Sequence, residues 1–166
     1  MTDSNAIPAL AELGRQVGSA LRERGETVAV AESSAGGLVS AALLAVPGAS
    51  AFFLGGAVVY TKAARKALLG MSDAEIAAMQ AETEGYARFI GSRMRERLDA
   101  TWGLGESGAA GPAGSRYGDA PGHVALAVVG PTVRSVIVET GQADRSLNMD
   151  LFARRMLLLF ADLLKR

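Results

Sequence analysis

Five short, apolar, β-branched segments alternate with stretches of helical periodicity, and this alternation constrains the chain more than any other feature. Thr27 to Glu32 (TVAVAE), Gly55 to Thr61 (GGAVVYT), Thr101 to Ser107 (TWGLGES), His123 to Val129 and Val133 to Thr140 read as strands. Ile7, Leu10, Leu13, Val17 and Leu21 fall at helical spacing ahead of them. Further helices are expected at Leu38 to Leu44, at Ala63 to Leu69, from an Ser72/Glu75 capping box to about Gln80, at about Thr83 to Asp99 and at about Arg145 to Lys165. Gly130-Pro131-Thr132 joins the last two strands as an antiparallel hairpin. Strands mixed with helices throughout predict an α/β fold, a three-layer α/β/α sandwich around a mixed, mostly parallel sheet of about five strands. With no linker and no repeat, residues 1–166 read as a single domain.

Composition removes several function classes. Lys plus Arg equals Asp plus Glu, 17 against 17, so a nucleic-acid partner is disfavoured. The absence of cysteine excludes disulfides and thiolate chemistry, and the lone His123 argues against a zinc site or a histidine-centred triad. Met1 to Ala9 carries Asp3 and no basic cluster, so it does not read as a signal peptide. The longest apolar stretch, Met156 to Leu164, is interrupted by Asp162 and too short to span a bilayer. The expectation is a cytoplasmic protein that uses no metal, cofactor or membrane.

Four segments can carry chemistry. Ala31-Glu32-Ser33-Ser34-Ala35-Gly36-Gly37 leaves a strand and opens a helix, where ligands gather in open α/β sheets and free N–H groups favour an anion or developing oxyanion. Either serine offers a hydroxyl nucleophile; either serves equally as a plain helix N-cap. Ser107 to Ser115 is a run of small residues through which a backbone can approach a ligand, and it includes Gly108 and Gly111. Gly103 to Gly108 spells G-x-G-x-x-G, but its glycines lie inside a strand and no helix follows, so a dinucleotide site is rejected. Tyr60-Thr61-Lys62-Ala63-Ala64-Arg65-Lys66 places a tyrosine and several cations at a strand end, fit either for a phosphate or for a solvated helix face. Asp144 can cap the last helix, which leaves Arg145 opposed to the helix dipole at a cost of up to about 1 kcal/mol. That mild misfit points to a ligand anion as readily as to a surface cation.

Together these segments resemble the CinA C-terminal domain, also described as nicotinamide-nucleotide amidohydrolase. AESSAGG stands where that family shows A-E-S-C-T-G-G, and VPGASAFFLGGAVVY, Val46 to Tyr60, matches V-P-G-[SA]-S-x-x-F-x-G-G-x-x-x-Y. Leu68-Leu69-Gly70, SGAAGPAG from Ser107 to Gly114, and Asp144-Arg145 match later motifs in the same order. The resemblance implies hydrolysis of the carboxamide of nicotinamide mononucleotide to nicotinate mononucleotide and ammonia, a step of pyridine nucleotide salvage, without a metal and in a homo-oligomer. It implies Ser33 as nucleophile, with Tyr60 and the residue at position 65 assisting proton transfer. Ser34, Gly36, Gly37, Lys62, Ser107, Gly108, Gly111 and Arg145 would bind substrate, with the Gly36-Gly37 turn or the 107–114 loop holding the oxyanion. Ser34 and Ala35 replace a cysteine and a threonine of the family pattern, and Arg65 replaces its lysine. Arginine is effectively always protonated and cannot accept a proton. The alternative is therefore a module that binds a pyridine nucleotide in the same pocket without the amidase base.

Overall fold

The helices and strands follow the sequence periodicity closely. The computed structural model describes residues 7–166, so the part of the Met1 to Ala9 reading that rests on residues 1–6 lies outside them. Helices α1 (Leu10–Arg24), α2 (Leu38–Leu44), α3 (Lys62–Leu69), α4 (Asp73–Ala78), α5 (Glu84–Leu98) and α6 (Arg145–Leu164) alternate with strands β1 (Val28–Glu32), β2 (Phe53–Val58), β3 (Trp102–Gly108), β4 (His123–Val129) and β5 (Val133–Glu139). The starts of α4 and α6 lie where the capping side chains Ser72 and Asp144 predicted them. Ser72 and Glu75 form a reciprocal capping box, and Thr83 and Asp144 accept N–H groups of the first turns of α5 and α6. Among the described residues no helix is long and apolar enough to cross a membrane.

The sheet order is β2-β1-β3-β4-β5. β1 pairs in parallel with β2 and β3, and β4 pairs antiparallel with β3 and β5, so β4 alone opposes the common direction. α1, α2 and α6 pack on one face around Leu13, Leu21, Leu43, Phe152, Met156 and Phe160. α5 covers the other face, joined by the short α3 and α4 through Leu69, Ile76, Tyr86 and Ile90. This is the three-layer sandwich with a mixed sheet. The chain leaves β1 for β2 on one side and later returns to β3 on the other. The carboxyl ends of β1 and β3 therefore flank a crevice of the kind that holds ligands in open sheets.

The second strand lies earlier than its predicted Gly55 to Thr61. It begins at Phe53, opposite Val28, because the β1 backbone takes up pairing where the Phe52 carbonyl accepts the Val28 N–H. Val59 keeps one bond to β1, its N–H donating to the Glu32 carbonyl at 2.8 Å, while Tyr60 and Thr61 lie beyond the strand and Thr61 caps α3. Tyr60 sits in this connection, 54% exposed.

The glycines of β3 have a packing role. A Cβ on Gly103 or Gly105 would overlap the backbone carbonyl of Gly91 or Ala87 on α5. The G-x-G spacing thus leaves one strand face bare so that a helix backbone can lie directly on it. Gly105→Ala is expected to destabilise the protein by about 1–3 kcal/mol in urea unfolding, since rigid backbone must retreat. Gly85→Ala, which meets only the end of Arg88 at 4.0 Å, is expected to be neutral or to stabilise by up to about 1 kcal/mol in the same measurement.

Candidate active site

The turn after β1 is held by two buried carboxylates. Glu32, the last residue of β1, is fully buried and accepts the N–H groups of Gly37 (2.8 Å), Val39 (3.1 Å) and Ser40 (2.9 Å) and the Ser40 hydroxyl (2.8 Å). It takes up the orphan donors of the α2 N-terminus, which no side chain at the N-cap Gly37 could reach. Glu106 reaches the same turn from the middle of β3. It accepts the N–H groups of Ser33 (2.8 Å) and Ala35 (2.9 Å) and the hydroxyl of Ser34. Burial pushes the Glu106 carboxyl up to about 7. The Ser34 hydroxyl and the Ala35 and Ser33 N–H groups oppose that shift, and the Glu32 carboxylate adds to it.

With Ser34 donating to Glu106, neither serine caps α2. Ser33 is left at the floor of a cavity of about 350 Å³, its hydroxyl without a hydrogen-bond partner among the described residues. The walls come from Tyr60, Arg65, Glu82, the loop after β3 and Arg145. Gly108 and Gly111 also line the cavity. The N–H groups of Ser34, Ala110 and Gly111 have no partner among the described residues, which leaves three donors at cavity-lining positions.

Four sequence-based assignments place differently. The Gly36 N–H bonds to the Ser33 carbonyl at 3.1 Å and the Gly37 N–H to Glu32, so that turn has no donor left for an oxyanion. The Ser107 hydroxyl is buried and accepts the Glu82 N–H at 3.3 Å, behind the cavity wall and not in it. Lys62 lines a neighbouring cavity of about 590 Å³ that shares Tyr60, Arg65, Arg116 and Tyr117 with the first. Lys66, of the same segment, is engaged in an ion pair with Asp73 at 3.0 Å.

Arg145 is fixed over the crevice. Its guanidinium donates to the Gly111 carbonyl at 2.7 Å and to the Tyr60 hydroxyl at 3.0 Å, which leaves further N–H groups free. Arg65 carries a buried Nε with no hydrogen-bond partner among the described residues and lies 5.6 Å from the centre of the Tyr86 ring. Tyr86 itself has a buried, unpartnered hydroxyl, which burial pushes up to about 12. Asn148, wholly buried on α6, was not evident from sequence. It donates to the carbonyls of Ala110 (2.7 Å) and Gln142 (2.9 Å) and accepts the Thr140 hydroxyl (2.6 Å), tying the glycine-rich loop to the last helix.

The cavity thus brings together an unengaged hydroxyl, free backbone donors, and arginines at positions 65, 116 and 145. The chain as a whole is similar to known proteins. The CinA C-terminal domain family model matches residues 10–164. The chain belongs to the CinA C-terminal domain family. A CinA-like protein of Prochlorococcus marinus is 47% identical over 111 residues, covering 67% of this chain and 26% of its own length. A CinA-like protein of Anaeromyxobacter sp. strain K is 40% identical over 134 residues, covering 81% and 33%. The chain thus spans about a quarter to a third of the curated CinA-like relatives it matches. A CinA superfamily protein from Enterobacter cloacae superposes with a TM-score of 0.86 at 28% identity, over 99% of this chain and 96% of that one. The competence/damage inducible protein CihA from Agrobacterium tumefaciens gives 0.86 at 26% identity, over 96% and 98%.

The raised Glu106 group fixes a sign. Its folded-state value of about 7 lies above the ordinary 4.5, so the folded state binds the proton more tightly. The stability it contributes is complete below about 4.5 and is lost as pH rises through about 7. Glu106→Gln keeps one oxygen for the two N–H groups and lets its amide donate to Ser34. The variant is expected to fold and to flatten the fall in urea stability between pH 4.5 and 7. Glu106→Ala strands the buried Ala35 N–H and Ser34 hydroxyl and the half-buried Ser33 N–H, and is expected to cost about 2–5 kcal/mol by the same assay.

Proposed function

We propose that this cavity hydrolyses the carboxamide of nicotinamide mononucleotide, giving nicotinate mononucleotide and ammonia. The observation that carries the reading is the Ser33 hydroxyl, held at the cavity floor by the residue's N–H bond to Glu106 and without a hydrogen-bond partner among the described residues. In this reading the Ser33 Oγ attacks the carboxamide carbon and the amide nitrogen leaves as ammonia. Water then hydrolyses the resulting ester and restores the hydroxyl. The N–H groups of Ser34, Ala110 and Gly111 are the donors available for the oxyanion. Arg145, with Arg65, holds the nucleotide phosphate as a charge-assisted pair, which suits side chains whose guanidinium N–H groups are only partly used. Tyr60 orients Arg145 and faces the bound nucleotide. In the same proposal the protein acts in the cytoplasm as a homo-oligomer.

A second reading is supported by Arg65, a permanent cation at the position where the family pattern has a lysine. In that reading the pocket binds the nucleotide without turning it over. Purified protein incubated with nicotinamide mononucleotide is expected to release ammonia, and Ser33→Ala to lower the rate by about 1000-fold or more. Binding of the nucleotide by the wild-type protein with no ammonia release would select the second reading.

A further inference from the structure

Glu82 is held in an unfavourable backbone conformation by groups that have no other evident use for it. Its φ is 59°, in the left-handed region that long L side chains rarely adopt. The N–H is fixed by the buried Ser107 hydroxyl of β3 at 3.3 Å. The carbonyl is fixed by Nε2 of the buried His123 of β4 at 2.9 Å. His123 is in turn held through Nδ1 by Glu139 of β5. Nε2 faces a carbonyl and Nδ1 a carboxylate, both acceptors, so the ring carries both protons. Burial favours its neutral form, but Glu139, the Glu82 carbonyl and Asp119 outweigh that and raise its affinity for a proton. Helix α5 does not need the arrangement, because Thr83 caps it. Three strands thus clamp the backbone of one loop residue, and the effect is to hold its side chain at the wall of the cavity floored by Ser33.

The Glu82 carboxyl makes no hydrogen bond or ion pair among the described residues. Every other charged side chain lining that cavity, Arg65, Arg116 and Arg145, is an arginine and cannot accept a proton. We infer that Glu82 is the proton-transfer residue of the cavity, serving in this chain as the base that Arg65 cannot be; the inference rests on the amidase reading above. As the Ser33 Oγ–carbon bond forms, the hydroxyl proton passes to the Glu82 carboxylate, directly or through one water. As the carbon–nitrogen bond breaks, the same proton passes to the leaving nitrogen, which departs as ammonia. Glu82 then takes a proton from the attacking water and returns it to Ser33 Oγ as the ester bond breaks. Charge and burial suit the role. Burial and the nearby Asp119 carboxylate raise the Glu82 carboxyl above its ordinary value. Arg65 of α3, His123 of β4 and Arg116 of the loop after β3 pull the other way without cancelling that rise. Tyr86 of α5 stands on the same side, within electrostatic reach of both Glu82 and Arg65.

The test uses the whole chain with Glu82→Gln and Glu82→Gly, following ammonia release from nicotinamide mononucleotide across pH, nucleotide binding by calorimetry, and Tm. Glu82→Gln is expected to lower kcat by about 100-fold or more while Kd stays within about threefold, and to abolish the acid limb of the wild-type pH profile. Glu82→Gly is expected to be equally slow yet to melt at a higher temperature, because glycine tolerates the left-handed backbone. Undiminished release by Glu82→Gln, or a loss of rate matched by an equal loss of binding or of Tm, would overturn the role of Glu82 alone. Binding without any release by the wild-type protein would overturn the amidase reading, and the role of Glu82 with it.

Discussion

Two buried carboxylates hold the β1–α2 turn, and everything at the site depends on them. A turn between a buried strand and a buried helix exposes backbone donors where water cannot reach, and each unpaired donor would cost about 1–3 kcal/mol. Glu32 and Glu106 accept five of those N–H groups and two hydroxyls between them. These bonds hold the turn on both sides of Ser34 and fix the backbone of Ser33 between the two strands. The same accounting explains why Ser34 is a structural serine and why the Gly36-Gly37 turn has no donors left for a ligand. The cost is a carboxyl that burial holds near neutrality.

The second constraint is the bare face of β3. Gly103 and Gly105 bring the backbone of α5 down onto the sheet, against Gly91 and Ala87. That depth sets the position of the segment leading into α5, which carries Glu82 and Thr83. Ser107 and His123, whose polar atoms fix Glu82, follow on the same strand and on its neighbour. Packing with no side chain between helix and strand, and a clamped polar residue at one end of it, are therefore linked: the first fixes the level at which the second works.

Much of the fold was legible in the sequence, because helical and strand periodicities are local. Five strands, six helices, the hairpin and the caps at Ser72 and Asp144 all come from residues within a few positions of one another. The displaced second strand is the instructive exception. Phe53 and Leu54 enter the sheet because β1 offers pairing there, which no local pattern records. At the site, Ser33, Tyr60, Arg65, Gly108, Gly111 and Arg145 were singled out from sequence and do meet around one cavity. Glu106, Glu82 and Asn148 were not. Glu106 left a faint signal, a lone carboxylate in the middle of a buried strand. Glu82 looked like an ordinary acid before a helix, and Asn148 like a polar residue in an amphipathic one.

The sequence by itself determined the order and kind of the elements, the absence of thiol chemistry and the family, since each rests on short-range pattern, on composition or on ordered motifs. Only the tertiary structure decided which polar groups are spent on the fold and which are left for a ligand. Ser33 and Glu106 lie 73 positions apart, Arg145 and Tyr60 85, and His123 and Glu82 41. Whether a hydroxyl or an N–H is free depends on what the sheet order places opposite it. Hydrogen bonds act over about 3 Å of space regardless of sequence separation, so that division between structural and available groups is not written in any local stretch of the chain.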